Sequence, residues 1–322
     1  MTPQLVSILI PAYNAEPWIE ATLQSAVSQS HANLEIIVVD DGSTDNTLSI
    51  AKAFALRHSR SIRVASQPNA GAAAARNHAV RLSSGEYLQF LDADDILDPE
   101  KISRQWTLSD YGRVPLLSGA WGRFSDDPTV TEWDRSPLLA SLSSINFART
   151  YLSANVMMHP AAWLVRRDVA LAAGPWDERL SLNDDGEYFF RVVVAAGGVV
   201  YCPDARSHYR SGNPSSLSCQ HSRRHIESAR LALSLISNHA LSLSLDLRPA
   251  VADAHLKFAY EFYPAAPDLV TDAERVATSL CGGLIKPEGG RIFHLLSPLV
   301  GWKFARRLQR LFRRHAVIRD PS

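Results

Sequence analysis

The chain has 322 residues, 46% of them hydrophobic and 20% charged, with 33 basic and 33 acidic side chains. This is the composition of a soluble globular protein, long enough for one large domain or a domain with a substantial appendage. Three cysteines with no CxxC pair exclude a cysteine zinc site and a disulfide framework, and no apolar run is long enough to span a bilayer.

The neutrality hides an asymmetry. Residues 301–322 hold seven Lys or Arg against one Asp, leaving the remainder acidic. The N-terminal apolar run lacks a preceding basic region and is too short for the core of a signal peptide, so the expectation is a cytoplasmic protein.

In chain order, "LVSILIPAY" (5–13) predicts a strand buried on both faces. A helix follows over 17–28, with Ile19, Leu23 and Val27 on one face and Asn14 as a candidate cap. "LEIIVVD" (34–40) predicts a second buried strand, and Ser43 or Thr44 a cap for a helix running to Arg57. "SIRVAS" (61–66) predicts a third strand, followed by an Ala-rich helix over 71–82. "EYLQFLD" (86–92) is the fourth, and a helix restarts at Pro99 with Asp98 as its cap. Strands alternating with helices at this spacing predict parallel strands with crossover helices in an α/β domain.

Beyond Val114 the pattern loosens. "VPLLSGAWGRF" reads as a strand, and 126–160 as mixed, polar and loop-rich. "AAWLVRRDVALAAG" reads as strand then helix, "GEYFFRVVVAAGG" as helix and "VVYCPDARSHYR" as strand. From 222 onward the pattern is mostly helical, broken at Pro264, Pro267, Pro287 and Pro298.

In α/β sheets, ligands bind beyond the carboxyl ends of the strands. "PAYN", "DDGSTD" and "DADD" all fall at those ends. Asp92 and Asp94, two positions apart, form a hard oxygen pair suited to magnesium or manganese. The same residues also read as a polar turn before a helix. In "VVDDGSTD", Asp40 or Asp41 can accept a hydrogen bond from a base or ribose, or serve a tight Asp-Gly turn. Neither GxGxxG nor a P-loop is present.

"VSILIPAYN", "IIVVDDGSTDNT", "NAGAAAARNHAV", "GEYLQFLDADD" and "NDDGEYFFR" resemble, in order and spacing, the motifs of family 2 glycosyltransferases with the GT-A fold. The resemblance covers 5–218. It implies an α/β fold with a mostly parallel central sheet flanked by helices and a C-terminal helical extension. A GT-A domain would occupy 1–218, with a nucleotide-sugar half (1–115) and an acceptor half (116–218). The helical extension would occupy 219–322 and end in a basic amphipathic helix.

The resemblance also implies roles. Pro11, Ala12 and Tyr13 would line the base pocket, and Asp41 would bond the base. Arg76 would sit near the base or diphosphate, where a fixed guanidinium fits anionic oxygens; the alternative is an exposed helix arginine. Asp92 would contact ribose or metal, Asp94 would hold the metal, and Asp95 would assist. In the acidic motif, usually Glu-Asp, Asp184 stands where Glu is common, and Asp185 would be the general base. Glu187, His208 and Arg210 are secondary candidates, the last two in a loop (208–218) closing over the diphosphate. "GPWDERL" (174–180) would position the acidic helix.

The implied activity is inverting, metal-dependent transfer of a sugar from a nucleotide-diphosphate donor, a UDP-sugar first among them. The acceptor would be a hydroxyl of a glycan or lipid-linked molecule, in cell-surface polysaccharide or lipopolysaccharide synthesis. The cofactor would be a divalent cation, manganese or magnesium. The QxxRW run of processive synthases is absent, which argues against processive synthesis. A non-catalytic nucleotide-binding subunit of a glycan-assembly complex is the alternative. A sugar-phosphate nucleotidyltransferase fits less well, because "PAYNAEPW" stands where it would carry a Gly-rich loop.

Residues 301–315 put Phe304, Leu308, Leu311 and Phe312 on one helix face and basic side chains on much of the rest. Such a helix can lie on an anionic membrane surface, which would place the protein on the inner face, or pack on the domain with a solvated basic side. No aromatic-interleaved motif points to nucleic acid.

Overall fold

The computed structural model describes residues 4–58, 61–110, 112–154, 156–212, 222–281, 297 and 301–307. They fall into two compact units, 1–151 with 156–220 and 152–155 with 221–322.

In the first unit, β1 (Val6–Ala12) leads to α1 (Ile19–Val27), β2 (Leu34–Asp40), α2 (Thr47–Arg57), β3 (Ser61–Ser66), α3 (Ala72–Leu82) and β4 (Tyr87–Phe90). Every residue of β1 is buried, because β2 and β4 flank it in parallel and helices cover both faces. The acidic loop then passes through a two-residue strand, β5 (Ile96–Leu97), into α4 (Lys101–Leu108).

The long β6 (Leu116–Phe124) follows, then β7 (Glu132–Trp133), β8 (Leu142–Ser143), α5 (Ser144–Ala154), β9 (Trp163–Arg166), α6 (Arg167–Ala173), α7 (Asp184–Ala196) and β10 (Gly198–Arg210). The sheet order is β3-β2-β1-β4-β9-β6-β10-β5, with β7 against β6 and β8 against β10. It is parallel from β3 to β4. It then becomes mixed, because β9 runs antiparallel to both β4 and β6. That insertion brings the end of β10 beside the acidic loop, where His208 pairs with Ile96.

Three caps differ from expectation. Asn14 does not cap α1; it takes a left-handed φ of 47° and accepts from the Thr44 N–H at 2.8 Å. Ser43 donates no cap to α2 either: its Oγ accepts from Asn14 N at 3.0 Å. The α2 entry is held by Asp45, which accepts from Thr47 N at 2.9 Å. Asp98 accepts from Glu100 N at 3.1 Å, one residue ahead of α4. The 126–160 region, loop-rich by pattern, contains α5, whose Phe147, Ala148 and Leu152 are buried.

In the second unit, α8 (Arg223–Leu243), α9 (Arg248–Phe262) and α10 (Pro267–Cys281) share a core of Ile226, Phe258, Tyr263 and Val270, with Trp302 packed against it. The start of the basic segment belongs to this core. Lys303 pairs with Glu274 at 2.6 Å, and the Arg306 guanidinium lies 4.0 Å from the Tyr260 ring centre. Phe304 is exposed. The remainder of the expected basic helix, 308–315, and residues 213–218 of the expected closing loop lie outside the described residues.

Candidate active site

At the carboxyl ends of β1 and β2, Pro11 and Ala12 are buried within the sheet, while Tyr13 is 51% exposed. The Asp41 N–H donates to the Ala12 carbonyl at 2.8 Å, which sets Tyr13 and Asp41 side by side. Both Asp41 oxygens already serve the following loop. Oδ1 accepts from Gln67 Nε2 at 2.8 Å and Ala70 N at 3.0 Å, and Oδ2 from Gly71 N at 2.8 Å. Asp41 therefore shapes the loop between β3 and α3; Oδ1 already accepts two hydrogen bonds, so the spare acceptor capacity is on Oδ2. The neighbouring Asp40 accepts from Ser43 N and Ser66 Oγ, and its Oδ1 is buried without a partner.

The acidic loop follows β4, and Arg76 of α3 joins it to α7. Arg76 is buried, not an exposed helix arginine. It donates to Asp92 Oδ1 and to Asp184 Oδ2, each at 2.7 Å, and lies 4.4 Å from the Trp176 ring centre. Burial opposes its charge, but Asp92 and Asp184 outweigh that cost and hold the guanidinium pKa above its usual value. One guanidinium thus gathers the two acidic motifs, 92 residues apart in the chain by number (184 against 92), around a single point.

The three loop carboxylates have different surroundings. Asp94 is half-buried, and burial together with Asp95 and Asp92 pushes its pKa up to about 7. Asp95 is fully buried and faces away as an anchor. Its Oδ1 accepts from Arg210 N at 2.9 Å, and its Oδ2 meets His159 Nδ1 at 3.0 Å. His159 continues to Ser207 Oγ at 2.8 Å through Nε2. Burial pushes the His159 pKa down to about 3 and raises that of Asp95, so the chain of contacts resists charge. Arg210 closes over the loop: its Nε donates to the Asp94 carbonyl at 2.9 Å, and its guanidinium lies 4.4 Å from the Phe124 ring centre.

Two further acids start α7. Asn183 holds a left-handed φ of 59°, which turns the chain so that Asp184 meets Arg76 and Asp185 sits half-buried beside it. Asp185 Oδ1 accepts from Gly186 N at 2.7 Å. Burial, reinforced by Asp184, pushes the Asp185 pKa up to about 7, placing this carboxyl where it can take a proton near neutrality. The loop before α7 is tied to α3 by Asn77, whose Oδ1 accepts from Trp176 N at 2.9 Å and whose Nδ2 donates to the Trp176 carbonyl at 3.0 Å. Trp176 also stacks on Tyr188 at 4.0 Å between ring centres.

Two secondary candidates are not brought into this cluster. Glu187 is buried and pairs with Arg191 at 2.7 Å, and Arg191 donates to the Gly174 and Pro175 carbonyls; this pair fastens α7 to its preceding turn. His208 turns to Thr131 Oγ1 at 2.7 Å and to the Trp133 ring. The residues that the sequence reading missed are His159, Asn77 and Tyr151, while Trp176 falls in the 174–180 turn expected to position the acidic helix. Asn77 had a visible signal in "ARN", next to Arg76; an isolated His159 in a loop-rich stretch had none.

Gly186 shows how tightly this corner is built. A Cβ there would meet Tyr151 Oη and Asn183 Oδ1, themselves 3.2 Å apart. Gly186→Ala is expected to cost about 1–3 kcal/mol in urea unfolding, with displacement of Asp185 seen as lost activity. An unchanged midpoint and unchanged activity would contradict this packing.

The residues fit a divalent cation. Burial first, and then the neighbouring Asp95 and Asp92, raise Asp94, and carboxylates outnumber Arg76 and Arg210 around this loop. Among the described residues, no three His, Cys, Asp or Glu side chains converge on a metal position by themselves. Magnesium-type ions bind through one or two carboxylates plus substrate phosphates, so Asp92 and Asp94 are the residues that would hold one.

The glycosyl transferase family 2 model matches residues 7–172. A glycosyltransferase of Haemophilus influenzae is 37% identical over 215 residues, 67% of this chain and 82% of that protein. The UDP-Glc:alpha-D-GlcNAc-diphosphoundecaprenol beta-1,3-glucosyltransferase WfaP of Escherichia coli is 46% identical over 102 residues, 32% of this chain. The matched part spans only 40% of the WfaP length.

Among solved structures, Staphylococcus aureus TarS 1-349 with UDP-GlcNAc superposes with a TM-score of 0.63 at 18% identity, covering 88% of this chain and 93% of that one. The Pyrobaculum calidifontis mannosyltransferase PcManGT with GDP-Man and Mn2+ gives 0.53 at 18% identity, covering 97% and 88%. These likenesses show the GT-A fold. By the family model over residues 7–172 and the Haemophilus influenzae relative, covered to 82%, the chain belongs to glycosyl transferase family 2.

Proposed function

We propose that this protein is an inverting, metal-dependent glycosyltransferase that moves a sugar from a nucleotide-diphosphate donor, a UDP-sugar, to a hydroxyl of a lipid-linked glycan. The observation that carries the reading is Arg76, whose two 2.7 Å ion pairs hold the donor-side Asp92 and the acceptor-side Asp184 together. A nucleotide would lie at the β1–β2 ends, with Tyr13 packing on the base and Asp41 at its edge. Its diphosphate would point toward the acidic loop.

Asp92 and Asp94 would hold a manganese or magnesium ion there, which supplies Lewis-acid stabilisation of the departing diphosphate. Arg210, fixed over the loop by Phe124 and the Asp94 carbonyl, adds a positive charge on the same side. Asp185 takes the proton of the acceptor hydroxyl as it attacks the anomeric carbon. With leaving group and base on opposite sides, one displacement inverts that centre.

The UDP choice and the lipid-linked acceptor are supported by TarS, solved with UDP-GlcNAc, and by WfaP, named for a GlcNAc-diphosphoundecaprenol acceptor. The manganese choice is supported by PcManGT, solved with Mn2+. With such an acceptor the work would belong to cell-surface polysaccharide synthesis, on the inner membrane face. Among the described residues no helix is long and apolar enough to cross a membrane, so attachment there would be peripheral, through exposed Phe304 and the basic segment.

With manganese, α-linked UDP-sugars and a GlcNAc-diphosphate lipid of shortened chain, the expected product is β-linked, read from its anomeric NMR couplings. An α-linked product would refute inversion by Asp185.

A further inference from the structure

Asp95, His159 and Ser207 make a chain of contacts in the order of a nucleophile triad, yet all three are fully buried, so no substrate reaches the Ser207 hydroxyl. With Nδ1–H donating to Asp95 Oδ2 at 3.0 Å, His159 Nε2 accepts from Ser207 Oγ at 2.8 Å, and one uncharged ring serves both ends. The ring packs against Trp121 and Tyr209, at 5.3 Å and 5.6 Å between ring centres.

The chain ends on the turn that carries Asp94. Thr22 Oγ1, from α1, lies 2.9 Å from both the Ala93 and the Asp95 carbonyls. From the end of β10, Arg210 Nε donates to the Asp94 carbonyl and Arg210 N to Asp95 Oδ1, each at 2.9 Å. The Asp95 N–H closes the turn on the Asp92 carbonyl at 3.1 Å. Only Asp95 Oδ2 is left, and it rests on His159. Without that contact a buried carboxyl oxygen lacks its partner, and the turn must shift to regain one. A magnesium-type ion tolerates little displacement of its oxygen ligands.

We infer that His159 is a positioning residue for the metal-binding loop: through Asp95 it directs the Asp94 carboxylate beside Asp92 and so sets the affinity for a divalent cation with a nucleoside diphosphate. The inference rests on the reading of Asp92 and Asp94 as the residues that hold the ion. The His159 contact to Asp95 governs the ion, and the contact to Ser207 only steadies the ring.

Two substitutions separate those contacts. An asparagine amide reaches as far as histidine Nδ1, and a glutamine amide as far as Nε2. His159→Asn therefore keeps a partner for Asp95, and His159→Gln keeps one for Ser207. The test is calorimetric titration of UDP into the full chain at a series of Mn2+ concentrations. The apparent Mn2+ affinity is expected to stay near wild type in His159→Asn and Ser207→Ala, and to fall about 10- to 100-fold in His159→Gln. Urea midpoints of the metal-free variants report folding separately. Equal weakening in the two His159 variants, wild-type affinity in His159→Gln, or a 10-fold loss in Ser207→Ala overturns the inference.

A second measurement leaves His159 in place. In 15N-histidine NMR of wild type, the His159 ring signals, assigned by their change in Ser207→Ala, are expected to shift when Mg2+ and UDP are added. Those of His255, buried in the second unit, are expected to stay. Unmoved His159 signals also overturn the inference. Absence of any Mn2+ dependence in wild type would refute the metal reading itself, and the inference with it. A wild-type dependence that both His159 variants share refutes the inference alone.

Discussion

Asp185→Asn is expected to lower kcat/KM for transfer by about 10²- to 10⁴-fold while leaving UDP affinity unchanged. The amide keeps the acceptor for the Gly186 N–H but cannot take a proton from the acceptor hydroxyl. The wild-type pH profile carries the same signature. Burial and Asp184 raise the Asp185 pKa to about 7, so the ionised, basic form grows as pH rises through that value. The kcat/KM limb should therefore climb with pH up to about 7 and flatten above, and Asp185→Asn should remove that limb.

The sign for stability is opposite. Because the folded protein holds this proton above the ordinary carboxylate range, the native state binds more protons than the unfolded chain between the two pKa values. The Asp185 contribution to stability then falls as pH rises from the unfolded carboxylate pKa toward 7. Retention of full transfer by Asp185→Asn would remove this residue from the chemistry.

Arg76→Met should have the largest effect on stability. Methionine keeps much of the bulk against Trp176 but strips Asp92 and Asp184 of their shared partner. Removing one member of a buried ion pair costs about 3–5 kcal/mol. The Asp92 and Asp184 side chains retain 25% and 19% exposure, so solvent relieves part of that penalty and the lower end, about 3 kcal/mol, is expected. Urea unfolding would show it as a reduced midpoint at unchanged slope. Arg76→Lys should be intermediate, because a single ammonium lacks the planar fork that reaches both carboxylates at once. A midpoint unmoved in Arg76→Met would mean that the bridge does not hold the two motifs together.

What could be read from the sequence follows the range of the interactions. β1 and β2 are legible because both faces of each strand are covered, leaving continuous apolar runs in the chain. The acidic loops are legible because they fall at strand ends, where parallel sheets place their ligands. The division of labour inside "DADD" is not. Asp95 becomes an anchor only through His159, 64 positions away, and Arg210, 115 positions away. Arg76 in an Ala-rich helix reads as surface until Asp184, 108 positions on, is folded against it.

Local expectation fails where a tertiary partner competes. Asn14, a natural helix cap, is captured instead by the Ser43–Thr44 loop. The region after Val114 resisted reading for a related reason. α5 mixes Ser, Thr and Arg with its buried Phe147 and Leu152, and β9 enters the sheet antiparallel, a pairing that no periodicity announces.

The most direct test of the central claim is calorimetric titration of UDP into wild type, Asp94→Ala and Asp185→Asn, each with and without Mn2+. Manganese-dependent UDP binding is expected in wild type, with its loss in Asp94→Ala and its retention in Asp185→Asn. UDP binding that ignores manganese, or that survives Asp94→Ala at full affinity, would contradict the assignment of the acidic loop to a metal diphosphate.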